Sequence, residues 1–190
     1  MSTSRPELPP EAKRVFKGVI FDVYQWEQPM FDGSTETFEK LKRPDTIQII
    51  ATVGDKIMVQ NQEQPCEAPF LSLPGGRVDA GEEPLAAAER ELLEETGYRA
   101  SEWFLWRQDN PYMKIVWTVH TYIAHNCTLV QQPKLDAGEK ITTKLVSFDE
   151  FINLCHNDNF REGRLRLDLL EAYYDMVKKE ALQKLLFSHL

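Results

Sequence analysis

The spacing of apolar residues divides the chain into strands on both sides of one internal helix. β-branched and aromatic residues gather in short runs, which predicts strands. The helix is predicted at 84–96, where apolar positions follow a helical period, a proline begins the segment and Gly97 follows it. The predicted strands are 15–26, 46–53, 56–60, 70–73, 103–106, 115–124 and 143–147, and further helices are expected over 148–155 and, as one or two helices, over 163–187.

The order of these elements predicts a single α/β domain with a mixed β-sheet. Gly54-Asp55 separates two apolar runs and predicts a hairpin turn, and 29–44 predicts a second hairpin or an excursion. Strands before and after one helix, with helices at the end, are typical of a mixed α/β fold. Residues 1–14 are rich in proline and charge and predict a flexible leader, which leaves 15–190 as the domain.

Composition and charge narrow the class of protein. The chain has 190 residues, with 22 Lys and Arg against 30 Asp and Glu and a net charge of −8. This balance argues against a nucleic-acid partner, because such binding depends on Lys and Arg. No apolar run is long enough for a membrane span. The three cysteines, Cys66, Cys127 and Cys155, are odd in number and far apart, which predicts reduced thiols. We therefore expect a cytoplasmic protein that binds neither membrane nor nucleic acid.

Acidic residues concentrate on the predicted helix. Glu91 and Glu95 are four residues apart, and Glu94 is three from Glu91, so the three carboxylates emerge on one face. Arg90 can pair with Glu94 but cannot neutralise all three. Mg²⁺ and Mn²⁺ prefer such oxygen ligands, so the pattern indicates a cation site, and the alternative is a solvated acidic helix face.

The residues before the helix extend this pattern. Glu82, near the helix start, is placed either to reach the cation site or to hold Arg90. Gly75 and Gly76, at the end of the preceding loop, have no side chains and so allow a metal-bound phosphate to approach the backbone.

The spacing of these residues favours the cation site. The segment Gly76-x5-Glu82-x7-Arg90-Glu91-Leu92-x-Glu94-Glu95-x-Gly97-Tyr98 matches the Nudix signature at its seven single-residue positions, with Tyr98 where an aliphatic residue is usual. The chain therefore resembles a Nudix hydrolase. The order of its elements is similar to that of the ADP-ribose and nucleoside-diphosphate-sugar pyrophosphatase branch. This resemblance implies an α/β/α sandwich around a mixed sheet, with a catalytic loop–helix–loop.

The resemblance also implies roles for single residues. It makes Glu91, Glu95, the Gly75 carbonyl and Glu94 the ligands of Mg²⁺ or Mn²⁺. Glu139, in the loop before the last strand, becomes the candidate general base, with Asp136 as its nearest alternative. The remaining assignments are Glu82, Arg90 and Glu94 as catalytic members of the signature and Gly76, Arg77 and Tyr112 as substrate contacts.

The activity implied is metal-dependent hydrolysis of the pyrophosphate bond in a nucleoside diphosphate linked to a second group, above all a sugar as in ADP-ribose. The products would be a nucleoside monophosphate and a sugar phosphate. Ser72 and Gly75 stand where the ADP-sugar branch commonly has Glu and Ala. The alternatives are hydrolysis of a dinucleoside polyphosphate or an oxidised nucleotide, or a domain that senses a nucleotide without cleaving it. The resemblance also implies a homodimer that exchanges the strands at 15–26.

Overall fold

The computed structural model describes residues 7–187, so residues 1–6 of the expected leader lie outside the described part. The strands are β1 (Lys13–Lys17), β2 (Asp22–Pro29), β3 (Thr35–Lys42), β4 (Thr46–Val53), β5 (Lys56–Glu63), β6 (Phe70–Ser72), β7 (Gly75–Arg77), β8 (Tyr98–Arg99), β9 (Glu102–Asp109), β10 (Ile115–Val116), β11 (Val119–His125), β12 (Thr128–Leu129) and β13 (Lys140–Val146). The α-helices are α1 (Pro84–Thr96), α2 (Phe148–Asn153), α3 (Gly163–Tyr174) and α4 (Met176–Phe187).

A seven-stranded sheet forms the centre of the fold. Its order is β13-β5-β4-β11-β9, with β6 added to β5 and β7 added to β4. β4 and β11 run parallel, with Thr46 opposite Val119 and Ala51 opposite Ala124, while the other pairs are antiparallel. The predicted mixed sheet is therefore confirmed.

Helices cover both faces of this sheet. Ile49 and Ile50 are adjacent on β4 and both fully buried, yet they belong to different core clusters, because alternate residues of a strand face opposite sides. Ile49 packs with Leu92 of α1, and Ile50 packs with Phe151 of α2 and Leu165 of α3. This is the sandwich that the resemblance implies.

α1 has the predicted bounds. Pro84 begins it, and it ends at Gly97, which has φ 77° and donates its N–H to the Leu93 carbonyl at 2.9 Å. A Cβ at Gly97 would lie 2.1 Å from the Gln131 carbonyl oxygen, so both the backbone angle and the space require glycine here.

Three predicted segments are divided in the structure. The predicted strand 15–26 becomes β1 and β2, joined by a tight turn in which the Gly18 N–H donates to the Phe21 carbonyl at 3.0 Å. β1 begins at Lys13, inside the expected leader. Segment 29–44 completes a second hairpin through β3, and β1-β2-β3-β10 form a separate four-stranded sheet.

The other two divisions occur where the chain changes partners. The predicted strand 115–124 becomes β10, which pairs with β3, and β11, which pairs with β4 in the central sheet. Segment 163–187 divides into α3 and α4 at Asp175, whose φ of −124° is not helical. The Asp175 carboxylate accepts the Val177 N–H at 2.9 Å, which satisfies a free donor at the start of α4. In residues 7–187 no helix is both long and apolar enough to span a bilayer.

Candidate functional site

Arg90 lies at the centre of the charged face of α1. Its Nε and Nη2 donate to the two carboxylate oxygens of Glu82, each at 2.9 Å. Its Nη1 donates to Glu91 Oε1 at 2.8 Å and to Glu94 Oε2 at 3.3 Å. The hydrogen bonds that Arg90 donates to Glu82 raise the pKa of Arg90 and lower the pKa of Glu82. Of the two placements expected for Glu82, the structure has the one that holds Arg90.

Glu95 lies on the same helix and is only 5% exposed. Its Oε2 accepts the Gly75 N–H at 3.0 Å and the Gln60 Nε2 at 3.1 Å. Burial raises the pKa of Glu95 to about 8, although these two hydrogen bonds oppose the shift. The charges of Glu91 and Glu139 contribute to this rise.

Glu91 faces the two glycines that precede the helix. A Cβ at Gly76 would lie 2.3 Å from Glu91 Oε1, so the carboxylate occupies the space that any side chain at position 76 would need. Burial raises the pKa of Glu91, the hydrogen bond from Arg90 opposes that shift, and the charges of Glu94 and Glu139 add to it. Four carboxylates therefore act on one another here, and we call Glu91, Glu94, Glu95 and Glu139 the acidic cluster.

Glu139 reaches the acidic cluster from the loop before β13. It closes a turn with Asp136, since its N–H donates to the Asp136 carbonyl at 3.0 Å and its carboxylate accepts the Asp136 N–H at 3.3 Å. Its charge acts on both Glu91 and Glu95 across more than 40 residues of sequence. The structure therefore brings the candidate base towards α1 and gives the backbone of Asp136 a part in shaping the loop.

The acidic cluster has the chemistry of a divalent-cation site, but its side chains are held by protein donors. Within the described range 7–187, no group of three or more His, Cys, Asp and Glu side chains is placed to hold a metal ion. Glu91 and Glu94 accept from Arg90, and Glu95 accepts from Gly75 and Gln60. The donors nevertheless fit a hard cation, because they are oxygens, partly removed from water and mutually repulsive. A cation would relieve the cost that raises the pKa values of Glu91 and Glu95.

A cleft of about 980 Å³ begins beside the acidic cluster at Gly75. Tyr112 and Trp117 form an aromatic wall, with ring centroids 6.1 Å apart and an interplanar angle of 19°. The Arg43 guanidinium lies over the Trp117 ring, 4.6 Å from its centroid. Tyr112 thus lines the cleft, and its contact with a substrate stays a prediction.

The other two expected substrate contacts lie elsewhere. Gly76 and Arg77 are not among the described residues that line the cleft. Gly76 packs against Glu91, and the Arg77 carbonyl accepts Arg90 Nη2 at 3.0 Å. Both residues are thus placed with the charged face of α1, and the role of each towards a substrate stays a prediction.

Glu162 is a cleft residue that the sequence did not single out. It lies just before α3, and its Oε1 accepts the Leu73 N–H at 2.9 Å. Its Oε2 accepts the Gln48 amide, and Gln48 Oε1 accepts the Thr121 hydroxyl at 3.1 Å. Burial raises the pKa of Glu162 against these hydrogen bonds. Arg161 and Arg164 flank Glu162, and such a charged segment is typical of an exposed helix start. No local pattern in the sequence therefore indicates that Glu162 is buried in a cleft.

Comparisons with known proteins agree with this geometry. A family model of the NUDIX domain matches residues 42–168. ADP-ribose pyrophosphatase of Bacillus subtilis (strain 168) is 28% identical over 179 residues, covering 90% of this chain and 92% of the relative. The methanol dehydrogenase activator of Bacillus methanolicus is 26% identical over 145 residues, covering 74% and 78% respectively. The crystal structure of an ADP compounds hydrolase matches with a TM-score of 0.70 at 20% identity, covering 86% of this chain and 91% of the other.

The matched family region contains α1, all four members of the acidic cluster and all the residues that line the cleft. Nudix hydrolases act on small-molecule nucleotides and generally use divalent metal ions. The prediction of an enzyme of this kind is confirmed. The chain belongs to the Nudix hydrolase family.

Proposed function

We propose that the protein hydrolyses the pyrophosphate bond of a nucleoside diphosphate linked to a second group, with sugar nucleotides such as ADP-ribose as the substrate class. The observation that carries this proposal is the acidic cluster, which meets the end of a large cleft at Gly75. The name of the Bacillus subtilis relative, an ADP-ribose pyrophosphatase that aligns over 90% of this chain, supports the substrate class. The products are a nucleoside monophosphate and a sugar phosphate.

Mg²⁺ or Mn²⁺ is the proposed cofactor, held by Glu91, Glu95, Glu94 and the Gly75 carbonyl. When bound, the metal supplies positive charge that neutralises the pyrophosphate and lowers the pKa of a water ligand. The raised pKa values of Glu91 and Glu95 support this assignment, because burial and like charges make both anions costly in the absence of a cation.

The chain's own residues divide the remaining tasks. Glu139 accepts the proton of the attacking water, and its position on a surface turn, from which its charge acts on Glu91 and Glu95, supports this role. Arg90 fixes the orientation of Glu91 and Glu94, while Glu82 keeps the guanidinium in place through two hydrogen bonds. Gly75 lines the cleft without a side chain, and the absence of a side chain at Gly76 leaves room for the Glu91 carboxylate.

The cleft receives the rest of the substrate. Its volume of about 980 Å³ lies at the upper end of the range usual for small-molecule sites, which suits an elongated sugar nucleotide. Gly75 places the scissile phosphates at one end, and the stacked pair Tyr112 and Trp117 offers aromatic surface to a base.

The assembly and location form part of the same proposal. We expect a cytoplasmic homodimer, without membrane or nucleic-acid partners, that associates through β1 and β2. Phe16 on β1 is 60% exposed and Val19 in the turn is 97% exposed, which supports burial of this hairpin against a second copy. Sedimentation equilibrium at micromolar concentration should give a dimer for the wild type and a monomer for Phe16→Glu. A wild-type monomer contradicts the dimer.

The experiment that tests the activity is a substrate panel with Mg²⁺, in which chromatography resolves the products. The panel contains ADP-ribose, GDP-mannose, UDP-glucose, dinucleoside polyphosphates and nucleoside triphosphates. The proposal expects sugar nucleotides to be cleaved to nucleoside monophosphate and sugar phosphate. Cleavage of the polyphosphates alone would overturn the substrate class.

A variant pair tests the base. Glu139→Gln should lower turnover by a factor on the order of 10² while leaving Mg²⁺ binding intact, since only proton acceptance is lost. Glu89→Gln, at an exposed glutamate on α1 that occupies a variable position of the signature, is the matched control and should keep wild-type turnover. Equal turnover in both variants would remove Glu139 from the mechanism.

A further inference from the structure

Three side chains form a hydrogen-bonded relay below the cleft. His120 on β11 is 5% exposed, and its Nε2 lies 3.1 Å from Asp45 Oδ2. Its Nδ1 lies 2.9 Å from Gln108 Nε2. Gln108 is directly opposite His120 in the pairing of β9 with β11, and it lines the cleft. The relay therefore connects a half-buried carboxylate to a side chain that lines the cleft.

The chemistry of the relay fixes the orientation of the Gln108 amide. Gln108 turns its NH₂ towards His120 Nδ1, and a carboxylate only accepts hydrogen bonds, so the imidazole carries its proton on Nε2, facing Asp45. Its Nδ1 is then an acceptor and requires the amide NH₂ of Gln108. Asp45 is itself held, since its Oδ1 accepts the Thr118 N–H at 3.0 Å. The Gln108 carbonyl oxygen is thus the part of the amide left for the cleft, and among residues 7–187 no donor is recorded on it.

A second amide beside the first has the opposite polarity. Asn110 also lines the cleft, two residues after Gln108, and its Oδ1 accepts the Thr118 hydroxyl at 3.1 Å. Its NH₂ is therefore left for a ligand. Gln108 offers an acceptor and Asn110 offers a donor. Adenine presents the complementary pair, a 6-amino donor next to the N1 acceptor, whereas hypoxanthine presents a 6-oxo acceptor next to an N1–H donor.

We propose that Gln108 is a specificity-determining residue that selects a 6-aminopurine over a 6-oxopurine, and that Asp45 and His120 are positioning residues that set its orientation. This inference rests on the proposed function, which puts the nucleoside in the cleft against Tyr112 and Trp117. A sugar hydroxyl both donates and accepts, so an amide of fixed orientation gains selectivity only when it contacts a base.

Asp45→Asn is the decisive variant, because it reverses the relay without changing its shape. The new amide can still accept the Thr118 N–H, but it donates to His120 Nε2. The imidazole proton then moves to Nδ1, and Gln108 must turn its carbonyl towards His120 and its NH₂ towards the cleft. Gln108→Leu removes the amide altogether. Gln183→Leu, an exposed glutamine on α4, is the matched control.

Two measurements are made on each variant. The first is kcat/KM with Mg²⁺ for ADP-ribose and for its hypoxanthine analogue, which differ at the purine. The second is equilibrium binding of AMP and IMP, which needs no hydrolysis. The wild type and Gln183→Leu should favour the adenine compound about tenfold, as one or two hydrogen bonds predict. The preference should fall to near one in Gln108→Leu and reverse in Asp45→Asn.

The outcomes separate the inference from the proposed function. A wild type that prefers AMP to IMP but cleaves neither sugar nucleotide would overturn the proposed function alone. Cleavage of both substrates with no base preference would overturn the inference alone, as would an Asp45→Asn variant that melts like the wild type and keeps its preference. If Asp45→Asn does not fold, the Gln108→Leu ratio decides. If the wild type neither binds AMP or IMP nor cleaves either sugar nucleotide, both the inference and the proposed function are overturned.

Discussion

Glu95 and Glu162 are two carboxylates with nearly the same hydrogen bonds and different surroundings. Glu95 accepts the N–H of Gly75 and the amide of Gln60. Glu162 accepts the N–H of Leu73, two residues earlier, and a glutamine amide from β4. Burial raises the pKa of both. The difference lies in their neighbours, since other carboxylates raise the pKa of Glu95, whereas burial is what raises that of Glu162.

The two carboxylates therefore differ in how much a bound cation would stabilise them. At Glu162 two hydrogen bonds oppose the cost of burying a single charge, and the carboxylate connects the start of α3 to the segment leading into β7. The same two bonds at Glu95 leave the repulsion from Glu91 and Glu139 uncompensated. This difference supports the proposed role of Glu95 as a metal ligand, whereas Glu162 anchors the cleft wall through its hydrogen bonds to Leu73 and Gln48.

The largest expected difference between the two carboxylates is in the activity of their variants. Glu95→Gln should lower kcat/KM for the cleaved sugar nucleotide on the order of 10²- to 10³-fold, because a charged group that stabilises the transition state through the metal is lost. Glu162→Gln should stay within about tenfold of the wild type, since it removes one anchoring interaction. Steady-state kinetics with Mg²⁺ measures both, and circular dichroism checks that both variants fold. Equal losses would show that the two carboxylates do not differ in role.

The next effect is the stabilisation of the fold by Mg²⁺. A ligand at one hundred times its dissociation constant raises the free energy of unfolding by about 2.7 kcal/mol. The wild type and Glu162→Gln should both show this gain when denaturation in Mg²⁺ is compared with denaturation in chelator. Glu95→Gln should lose most of it. A gain in Glu95→Gln equal to that of the wild type would place the cation elsewhere.

The smallest effect is on the pH dependence of stability in chelator. Folding raises the pKa of Glu162 above its usual 4.5, so the native state keeps the proton longer than the unfolded chain. The resulting stability is complete below pH 4.5 and is lost as the pH rises through the raised value. The wild type should therefore lose stability relative to Glu162→Gln, with a slope of at most about 1.4 kcal/mol per pH unit.

Glu95→Gln allows the same measurement of how stability depends on pH. Its window runs from the usual pKa of 4.5 to about 8, so Glu95→Gln should lack the decline in that interval. Urea unfolding at a series of pH values measures all three proteins. Parallel curves for the wild type and Glu162→Gln would show that Glu162 is not perturbed by folding.

Local spacing accounts for what the sequence could predict of the site. The i,i+4 pairing of Arg90 with Glu94, the bounds of α1 and the glycine at its end follow from helix geometry within a short segment. Gln48 and Glu162 meet across 114 residues, and Asp45 and His120 across 75. Such contacts depend on which strands become neighbours in the sheet, and the spacing of residues along the sequence does not show this.

The divided strands have a similar explanation. An apolar run shows that a segment is extended, but not that it leaves one sheet for another, as the chain does between β10 and β11. The turn at 18–21 has no strong turn dipeptide, so the run through 15–26 reads as continuous.

The glycines opposite α1 bear on whether this site can be transplanted. A methyl group at Gly76 would collide with the Glu91 carboxylate, and one at Gly75 would lie 2.3 Å from the Ile47 carbonyl oxygen. An acidic helix grafted onto another protein would therefore carry the charges without the space they occupy. The transferable unit is the helix together with the bare backbone strand that faces it, so the smallest graft runs from Gly75 to Gly97.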